Sequence, residues 1–228
     1  MSRLPKPVAL LLACALFLAA CGGNEREKPA AAPATTDTPE PAQAAGCEKV
    51  PAPKPRDAVK LPKPTQTLKP GKTYVASVLT SCGEFDITLD PKRSPRTGGA
   101  FATLVAKRFY DGLTFHRIVP GFVIQGGDPK GDGSGGPGFS VTEAPPQDIV
   151  YSKGVVAMAK TATEAAGTSG SQFFVVTGED AGLPPDYALL GKVTKGQEVV
   201  DKIGVVAVGS DEAPTEPVVI RSIRITTS

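Results

Sequence analysis

Residues 115–128 read FHRIVPGFVIQGGD, and this stretch decides the fold. Together with the preceding Thr114, it contains two short β-like runs, Thr114–Val119 and Phe122–Gln125, which Pro120 and Gly121 separate. Short runs rich in β-branched and aromatic residues, bounded by glycine and proline, are typical of strands. The stretch therefore predicts two neighbouring strands.

The rest of the globular sequence is built from similar short runs. Six further strands are predicted, at Tyr74–Thr80, Glu84–Leu89, Val155–Ala159, Gln172–Val176, Ala188–Val193 and Val218–Thr226. One helix is predicted to begin after Ser94 as N-cap and to end near Lys107, and a second spans Gly196–Ile203. We expect a mainly β fold, a closed eight-stranded antiparallel barrel capped by two α-helices, because closure removes exposed sheet edges.

Charge and motif content argue against several functions. The 25 basic and 23 acidic residues leave a net charge of +2, which provides no field to recruit nucleic acid. The single histidine, His116, has no carboxylate partner arrangement, so neither a catalytic triad nor a metal site is expected. Residues 131–136 formally fit G-x-G-x-x-G, but they continue into Pro137 instead of opening a helix, so no nucleotide cofactor is expected.

The N-terminus has the pattern of a bacterial export signal. Arg3 and Lys6 precede an apolar run, Val8–Ala20, that is shorter than the roughly twenty residues a membrane-spanning helix needs. The run ends in Leu-Ala-Ala-Cys, which resembles the lipobox of bacterial lipoproteins. We therefore predict a lipoprotein signal peptide over residues 1–20 and a lipid on Cys21. The lipid would anchor the protein outside the cytoplasm, on the cell membrane or on the periplasmic face of an outer membrane; the alternative is an ordinary secretory cleavage site that a cysteine happens to follow.

Residues 21–70 are dominated by Ala, Pro, Thr, Glu and Lys, with almost no large apolar side chains. Such a segment buries too little surface to offset its ordering entropy, and its prolines favour extended geometry. We expect a disordered Pro/Ala-rich tether that holds a domain of residues 71–228 away from the membrane. The alternative left open is that the part near Cys47 packs on the domain.

Two cysteines remain outside the signal region, Cys47 and Cys82. In an exported protein such a leftover pair is more often oxidised than free. A disulfide between Cys47 and Cys82 is therefore predicted, and it would require the packing of the tether near Cys47. Two unpaired thiols are the alternative.

Three segments carry a resemblance to a known family. The letters FHR, PGF and QGGD in residues 115–128 resemble the signature of the cyclophilins, GSQFF at residues 170–174 matches a second cyclophilin motif, and GKV at residues 191–193 matches a third. The similarity runs in order from about Tyr74 to Ile225. It implies the cyclophilin fold and the activity of a peptidyl-prolyl cis-trans isomerase. It also implies that the glycine-rich loop after residue 126 lies near the active site.

The resemblance and the side-chain chemistry together indicate the residues of the site. Arg117 is a permanently charged planar donor, and Gln125 lies in the neighbouring strand, where its amide can orient both Arg117 and the substrate. These two residues are predicted to be catalytic. Strand alternation places Phe173 in the core and turns its neighbours to the other face. The predicted substrate-binding residues are Phe122, Val123, Ala159 (through its backbone, beside an extended substrate), Gln172, Phe174, Leu183 and Tyr187.

Three positions differ from the common eukaryotic cyclophilin pattern. Lys160 stands in place of an asparagine, Gly182 in place of a tryptophan and Tyr187 in place of a histidine. Tyr187 still offers a flat ring with a hydrogen-bonding tip, so it can close the proline pocket much as the histidine does.

The predicted function is the isomerisation of X-Pro bonds in exported, still-folding polypeptides, by a monomer that needs no cofactor. The alternative is a non-catalytic binding module or holdase in the cell envelope that holds proline-containing segments. The presence of Arg117 favours the enzyme, because a pure binder has no evident need for a donor aimed at the amide nitrogen.

Overall fold

The computed structural model describes residues 46–57 and 60–228. The predicted signal peptide and the predicted lipidation site at Cys21 lie outside these residues. Within the described ranges, no helix is both long and apolar enough to cross a membrane.

Ten strands and two helices are found in the described part of the chain. In chain order they are β1 (Tyr74–Thr80), β2 (Gly83–Leu89), α1 (Pro95–Ala106), β3 (Thr114–Val119), β4 (Val123–Asp128), β5 (Val141–Thr142), β6 (Val155–Met158), β7 (Thr168–Ser169), β8 (Phe173–Val176), β9 (Leu189–Lys195), α2 (Gln197–Ile203) and β10 (Ile220–Thr227). The eight predicted strands and both predicted helices are present. The pair β5 and β7 was not predicted, because a two-residue strand is too short to show a period-2 pattern.

Eight strands form one antiparallel sheet in the order β10-β1-β2-β9-β6-β8-β4-β3, and β5 pairs with β7 separately. The prediction of a closed barrel is wrong. The sheet is an open half-barrel with β3 and β10 as its two edges, and an isolated bridge from Thr114 to Val219 takes the place of a continuous ladder between them.

The loop of residues 205–219, between α2 and β10, explains why the sheet stays open. It contains Pro214 and Pro217, which have no N–H group to continue a ladder. The amide of Ile118 in β3 donates to the carbonyl of the loop residue Glu212 at 2.8 Å. This loop therefore covers the edge of β3 where a strand would close the barrel, and it brings Glu212 next to β3.

The hydrophobic core lies between the sheet and the helices. Phe101 of α1 and Phe173 of β8 are both buried, and their ring centroids are 6.0 Å apart at an interplanar angle of 87°. Aromatic pairs favour this edge-to-face arrangement. The prediction that Phe173 belongs to the core is confirmed.

The start of α1 is capped differently from the prediction. Ser94 occupies the N-cap position, but its hydroxyl donates to the carbonyl of Asp90 at 3.0 Å and caps no helix amide. The carboxylate of Glu143 instead accepts hydrogen bonds from the amides of Arg96 at 3.1 Å and Thr97 at 2.7 Å. A carboxylate here satisfies otherwise unpaired amides and interacts favourably with the helix dipole.

The described part of the predicted tether, residues 46–57 and 60–70, lies along the domain and is called the strap below. Cys47 is joined to Cys82 in the predicted disulfide, with the two Cα atoms 4.1 Å apart. The strap therefore packs on the domain, whereas the sequence predicted a disordered tether. This agrees with the alternative that the sequence left open near Cys47.

Separate contacts hold the strap along its length. The amide of Arg56 donates to the carbonyl of Pro129 and the amide of Leu61 to that of Pro137, each at 2.8 Å. Leu68 is buried. A proline-rich segment cannot build a ladder, but its individual N–H groups still find acceptors. Composition missed this order because the domain, and not the strap itself, supplies the burial.

Removal of the disulfide is expected to destabilise the domain. The Cys47–Cys82 bond spans a sequence separation of 35 residues, for which chain entropy predicts a contribution of about 3–4 kcal/mol to the free energy of unfolding. Urea denaturation of the Cys47→Ser/Cys82→Ser double variant should show a loss of that size. Wild-type protein treated with a reductant is the control and should behave like the variant. Equal free energies of unfolding for oxidised wild type and variant would contradict the entropic argument.

Candidate active site

Three neighbouring strands bring the predicted catalytic residues together. In the ladder between β3 and β4, Arg117 lies opposite Gln125, and in the ladder between β4 and β8, Gln125 lies opposite Phe174. Residues opposite each other in adjacent strands project from the same face of a sheet. Arg117, Gln125 and Phe174 therefore form a row across the sheet, on the face opposite to Phe173.

A chain of polar side chains extends this row. Arg117 Nη1 donates to Gln125 Oε1 in a long contact of 3.4 Å, and Gln125 Nε2 donates to Gln172 Oε1 at 3.0 Å. Gln172 Nε2 in turn donates to the carbonyls of Gly133 and Gly135, at 2.8 and 2.9 Å. The orientation of Arg117 is thus linked to the glycine-rich loop, which lies beside the site.

A cavity of about 140 Å³ lies next to the row. Eight of the nine predicted site residues line it, namely Arg117, Phe122, Val123, Gln125, Ala159, Phe174, Leu183 and Tyr187. The ninth, Gln172, lines an adjoining cavity of about 510 Å³ together with the glycine-rich loop. Lys160, which sequence reasoning noted only as a departure from the family pattern, lines both cavities.

The backbone at Ala159 is partly engaged within the domain. Its amide donates to the carbonyl of Gln172 at 2.9 Å. The amide is already used, whereas the carbonyl, with two lone pairs, can accept from a substrate. The predicted backbone pairing with an extended substrate stays a prediction, with the carbonyl as the group that pairs.

Tyr187 and Phe174 form an aromatic wall of the smaller cavity, with ring centroids 5.4 Å apart at 88°. Tyr151 holds this wall from behind. Its hydroxyl donates to the carbonyl of Tyr187 at 2.6 Å and accepts from the amide of Tyr187 at 3.1 Å. Burial raises the pKa of Tyr151 to about 12, so the hydroxyl stays protonated and keeps its donor role. Sequence reasoning missed Tyr151, which lies outside the matched motifs.

Glu212 is a second residue that the sequence did not reveal. Its carboxylate accepts a hydrogen bond from Arg117 Nε at 2.6 Å. Glu212 has a φ of 64°, a left-handed conformation uncommon for a non-glycine residue. With acceptors on both Nε and Nη1, the plane of the Arg117 guanidinium is fixed, while its five N–H donors outnumber these two contacts.

His116 precedes Arg117 and is partly buried. The pKa of His116 lies below its usual value. Burial is the main cause, and the charge of Arg117 also lowers the pKa, while Asp128 opposes both by raising it. A neutral ring at neutral pH suits the structural role that the sequence predicted. In the described residues, no group of three or more His, Cys, Asp or Glu side chains is arranged as metal ligands.

The site is thus a small cavity, lined by apolar and aromatic side chains together with polar ones, next to a guanidinium that two acceptors contact. A cavity of this kind suits a compact apolar ring such as that of proline, and the arginine is placed to donate to a polar atom beside the ring. The fold and the site together define a class of protein in which an antiparallel half-barrel sheet places one arginine beside a small ring-sized cavity.

Comparison with known proteins then identifies the family. Residues 75–225 match the family model described as "Cyclophilin type peptidyl-prolyl cis-trans isomerase/CLD". The chain belongs to the cyclophilin family, and it is an enzyme of the peptidyl-prolyl cis-trans isomerase type. The strap lies outside the matched residues.

Relatives and a solved structure agree with this assignment. The probable peptidyl-prolyl cis-trans isomerase A of Mycobacterium leprae (strain TN) is 37% identical over 168 residues, which cover 66% of this chain and 91% of that protein. The peptidyl-prolyl cis-trans isomerase B of Bacillus subtilis (strain 168) is 40% identical over 124 residues, which cover 53% and 83%. A crystal structure of a Cryptosporidium parvum cyclophilin type isomerase in the presence of the dipeptide Ala-Pro has a TM-score of 0.63 at 28% identity, covering 67% of this chain and 98% of that one.

Replacement of Glu212 is expected to lower kcat/KM, because Arg117 then loses an acceptor that fixes its plane. A coupled assay on a proline tetrapeptide should show about a 10-fold loss for Glu212→Ala, equivalent to about 1.4 kcal/mol of transition-state stabilisation. Glu212→Gln, which keeps an acceptor oxygen, should retain most of the activity. Glu216→Ala is the control, since Glu216 lies in the same loop and pairs with the exposed Lys49. Full activity of Glu212→Ala would show that Gln125 positions Arg117 without help.

Proposed function

We propose that the protein isomerises X-Pro bonds of exported polypeptides outside the cytoplasm and so assists their folding. The observation that carries the catalytic part of this proposal is the guanidinium of Arg117, which two acceptors hold beside the smaller cavity. We assign the catalytic role to Arg117 and the role of orienting it to Gln125.

This reaction needs no nucleophile. Amide resonance gives the X-Pro bond a barrier of about 18–20 kcal/mol, so uncatalysed exchange takes roughly tens to hundreds of seconds. The barrier falls when a donor stabilises the twisted amide, with its more pyramidal prolyl nitrogen, better than the planar ground state. Arg117 supplies that donor in a site where no reorganisation of the guanidinium is needed.

The substrate is held by its prolyl ring and by its backbone. In the proposal, the ring packs against Phe122, Val123, Phe174, Leu183 and Tyr187. The carbonyl of Ala159 accepts from the substrate backbone, and Gln172 keeps Gln125 in place. The Ala-Pro dipeptide named with the Cryptosporidium parvum structure supports proline-containing polypeptides as the substrate class.

We also propose that the protein is exported and anchored by a lipid on Cys21. The support is the apolar run of residues 8–20 and the Leu-Ala-Ala-Cys sequence that ends it. The Cys47–Cys82 disulfide adds support, because disulfides persist mainly in oxidising compartments. In this proposal, the part of the predicted tether that lies outside the described residues links the lipid on Cys21 to the strap.

Arg117→Ala is expected to lower kcat/KM by roughly 10²–10³-fold, as the loss of one transition-state donor does. The affinity for a proline tetrapeptide, measured by NMR titration, should change little. Arg224→Ala is the matched control, because it removes an exposed strand arginine of β10 away from the cavity.

The same pair of measurements separates the enzyme from the alternative function. A non-catalytic binding module or holdase would bind the tetrapeptide in wild type and in Arg117→Ala, with no turnover in either. Turnover that survives in Arg117→Ala would show that the donor is a different group.

Cys21→Ser is expected to release the protein from the membrane fraction and to abolish labelling with palmitate, because the thiol that carries the lipid is gone. The measurement is fractionation and labelling of bacterial cells that express each variant. Cys14→Ser is the matched control: Cys14 also follows Leu-Leu-Ala, but cleavage there would leave too short an apolar run. Membrane retention of Cys21→Ser would contradict the anchor.

A further inference from the structure

We propose that Lys160 and Asp186 form a positioning pair that holds the aromatic wall of the proline cavity and thereby determines how tightly prolyl substrates bind. The proposal rests on the isomerase function assigned to the same cavity, and it adds two residues that have no place in the catalytic step itself.

Lys160 is an ammonium group almost removed from solvent. Its side chain is 4% exposed, although the residue lines both cavities. Nζ lies 2.6 Å from Asp186 Oδ2, 3.1 Å from the carbonyl oxygen of Glu164 and 3.2 Å from that of Thr161. An ammonium group has three N–H donors, and these three acceptors use all of them. Lys160 therefore acts through the groups that it holds, and not by donating to the substrate.

The groups that it holds belong to the wall of the cavity. Lys160 Nζ lies 5.6 Å from the ring centroid of Tyr187, within the range of a cation–π interaction. Asp186 directly precedes Tyr187, and two hydrogen bonds hold the backbone of Asp186. Its amide donates to the carbonyl of Pro184 at 2.7 Å, and its carbonyl accepts from the amide of Gly167 at 2.8 Å. The ion pair thus connects the end of β6 to the segment that carries Tyr187.

The segment that carries Tyr187 has no second aromatic side chain for the wall of the cavity. Gly182 stands where the common family pattern has a tryptophan, and the space beside it is open, since a Cβ added at this position would meet nothing within 4 Å. Without an indole there, the segment contributes only Leu183 and Tyr187 to the lining of the smaller cavity. Lys160 and Tyr187 both differ from the common family pattern, and in this proposal the two differences act together. The charge of Lys160 holds the ring of Tyr187, which stands in place of the histidine.

Loss of the pair is expected to affect substrate binding and not the chemical step. If the wall loosens, the prolyl ring is held less tightly in the ground state and in the transition state alike, whereas Arg117 keeps its acceptors Glu212 and Gln125. A pair that only stabilised the fold would change the free energy of unfolding and leave substrate affinity unchanged.

The test uses the full chain with Lys160→Met, which keeps an unbranched side chain and removes the charge. The Kd for a proline tetrapeptide, from NMR titration, and KM should each rise about 10-fold, with kcat within about twofold of wild type. The ring-proton resonances of Tyr187 should shift because the cation above the ring is gone. Lys153→Met is the matched control, since Lys153 pairs with Asp201 at 3.0 Å and lines neither cavity.

Asp186→Asn tests the other partner. It should reproduce the rise in Kd, and the Lys160→Met/Asp186→Asn double variant should bind no more weakly than Lys160→Met alone, because two residues that act as a pair are not additive. Additive losses would overturn the proposal. An unchanged Kd in Lys160→Met would overturn it, and so would a fall in kcat at constant KM.

Thermal unfolding of each variant shows whether it is folded. If Lys160→Met does not fold, Lys160→Gln takes its place, because its amide keeps two N–H donors without the charge. A wild-type protein that binds the tetrapeptide without turnover would overturn the isomerase function, while the comparison of Kd values would still decide the role of Lys160.

Discussion

The register of β4 between β3 and β8 is the constraint on which the site depends. Side chains alternate along a strand, so a shift of one residue turns every side chain to the other face of the sheet. In the observed register, Gln125 meets Arg117 on one side and Phe174 on the other, while Phe173 is buried in the core. A slip of β8 by one residue would remove Phe174 from the cavity and Phe173 from the core together. The pocket and the core therefore stabilise the same register.

The glycine-rich loop connects the side chains of this sheet to the strap. On one flank, Gln172 donates to the carbonyls of Gly133 and Gly135. On the other flank, amides of the strap donate to the carbonyls of Pro129 and Pro137. The strap lies outside the residues that match the family, yet it supports the loop that helps to orient Gln125 and, through it, Arg117. The disulfide at the start of the strap thus belongs to the same connected structure as the site.

Both cations of the site have a carboxylate partner. Arg117 pairs with Glu212, and Lys160 pairs with Asp186. Paired charges project only a weak field beyond their immediate neighbours. Recognition therefore depends on the fit of an apolar ring and on one directional donor, which suits X-Pro segments of varied sequence. A site of this kind needs fixed walls more than charge complementarity, which is why the contacts that hold Tyr187 are important.

The sequence by itself determined the elements and residues whose signals are local. Alternation in residues 172–176 predicted that Phe173 faces the core and that its neighbours face the site, because the period of two is a property of each strand alone. The motifs in the same residues indicated the family. Only the tertiary structure decided which distant segments come together. Glu143 meets the start of α1, and Glu212 meets Arg117 across 95 positions. The strap meets the glycine-rich loop, and the loop of residues 205–219 meets the edge of β3. Such contacts leave no periodic trace in the chain, because their partners are chosen by the packing of the whole domain.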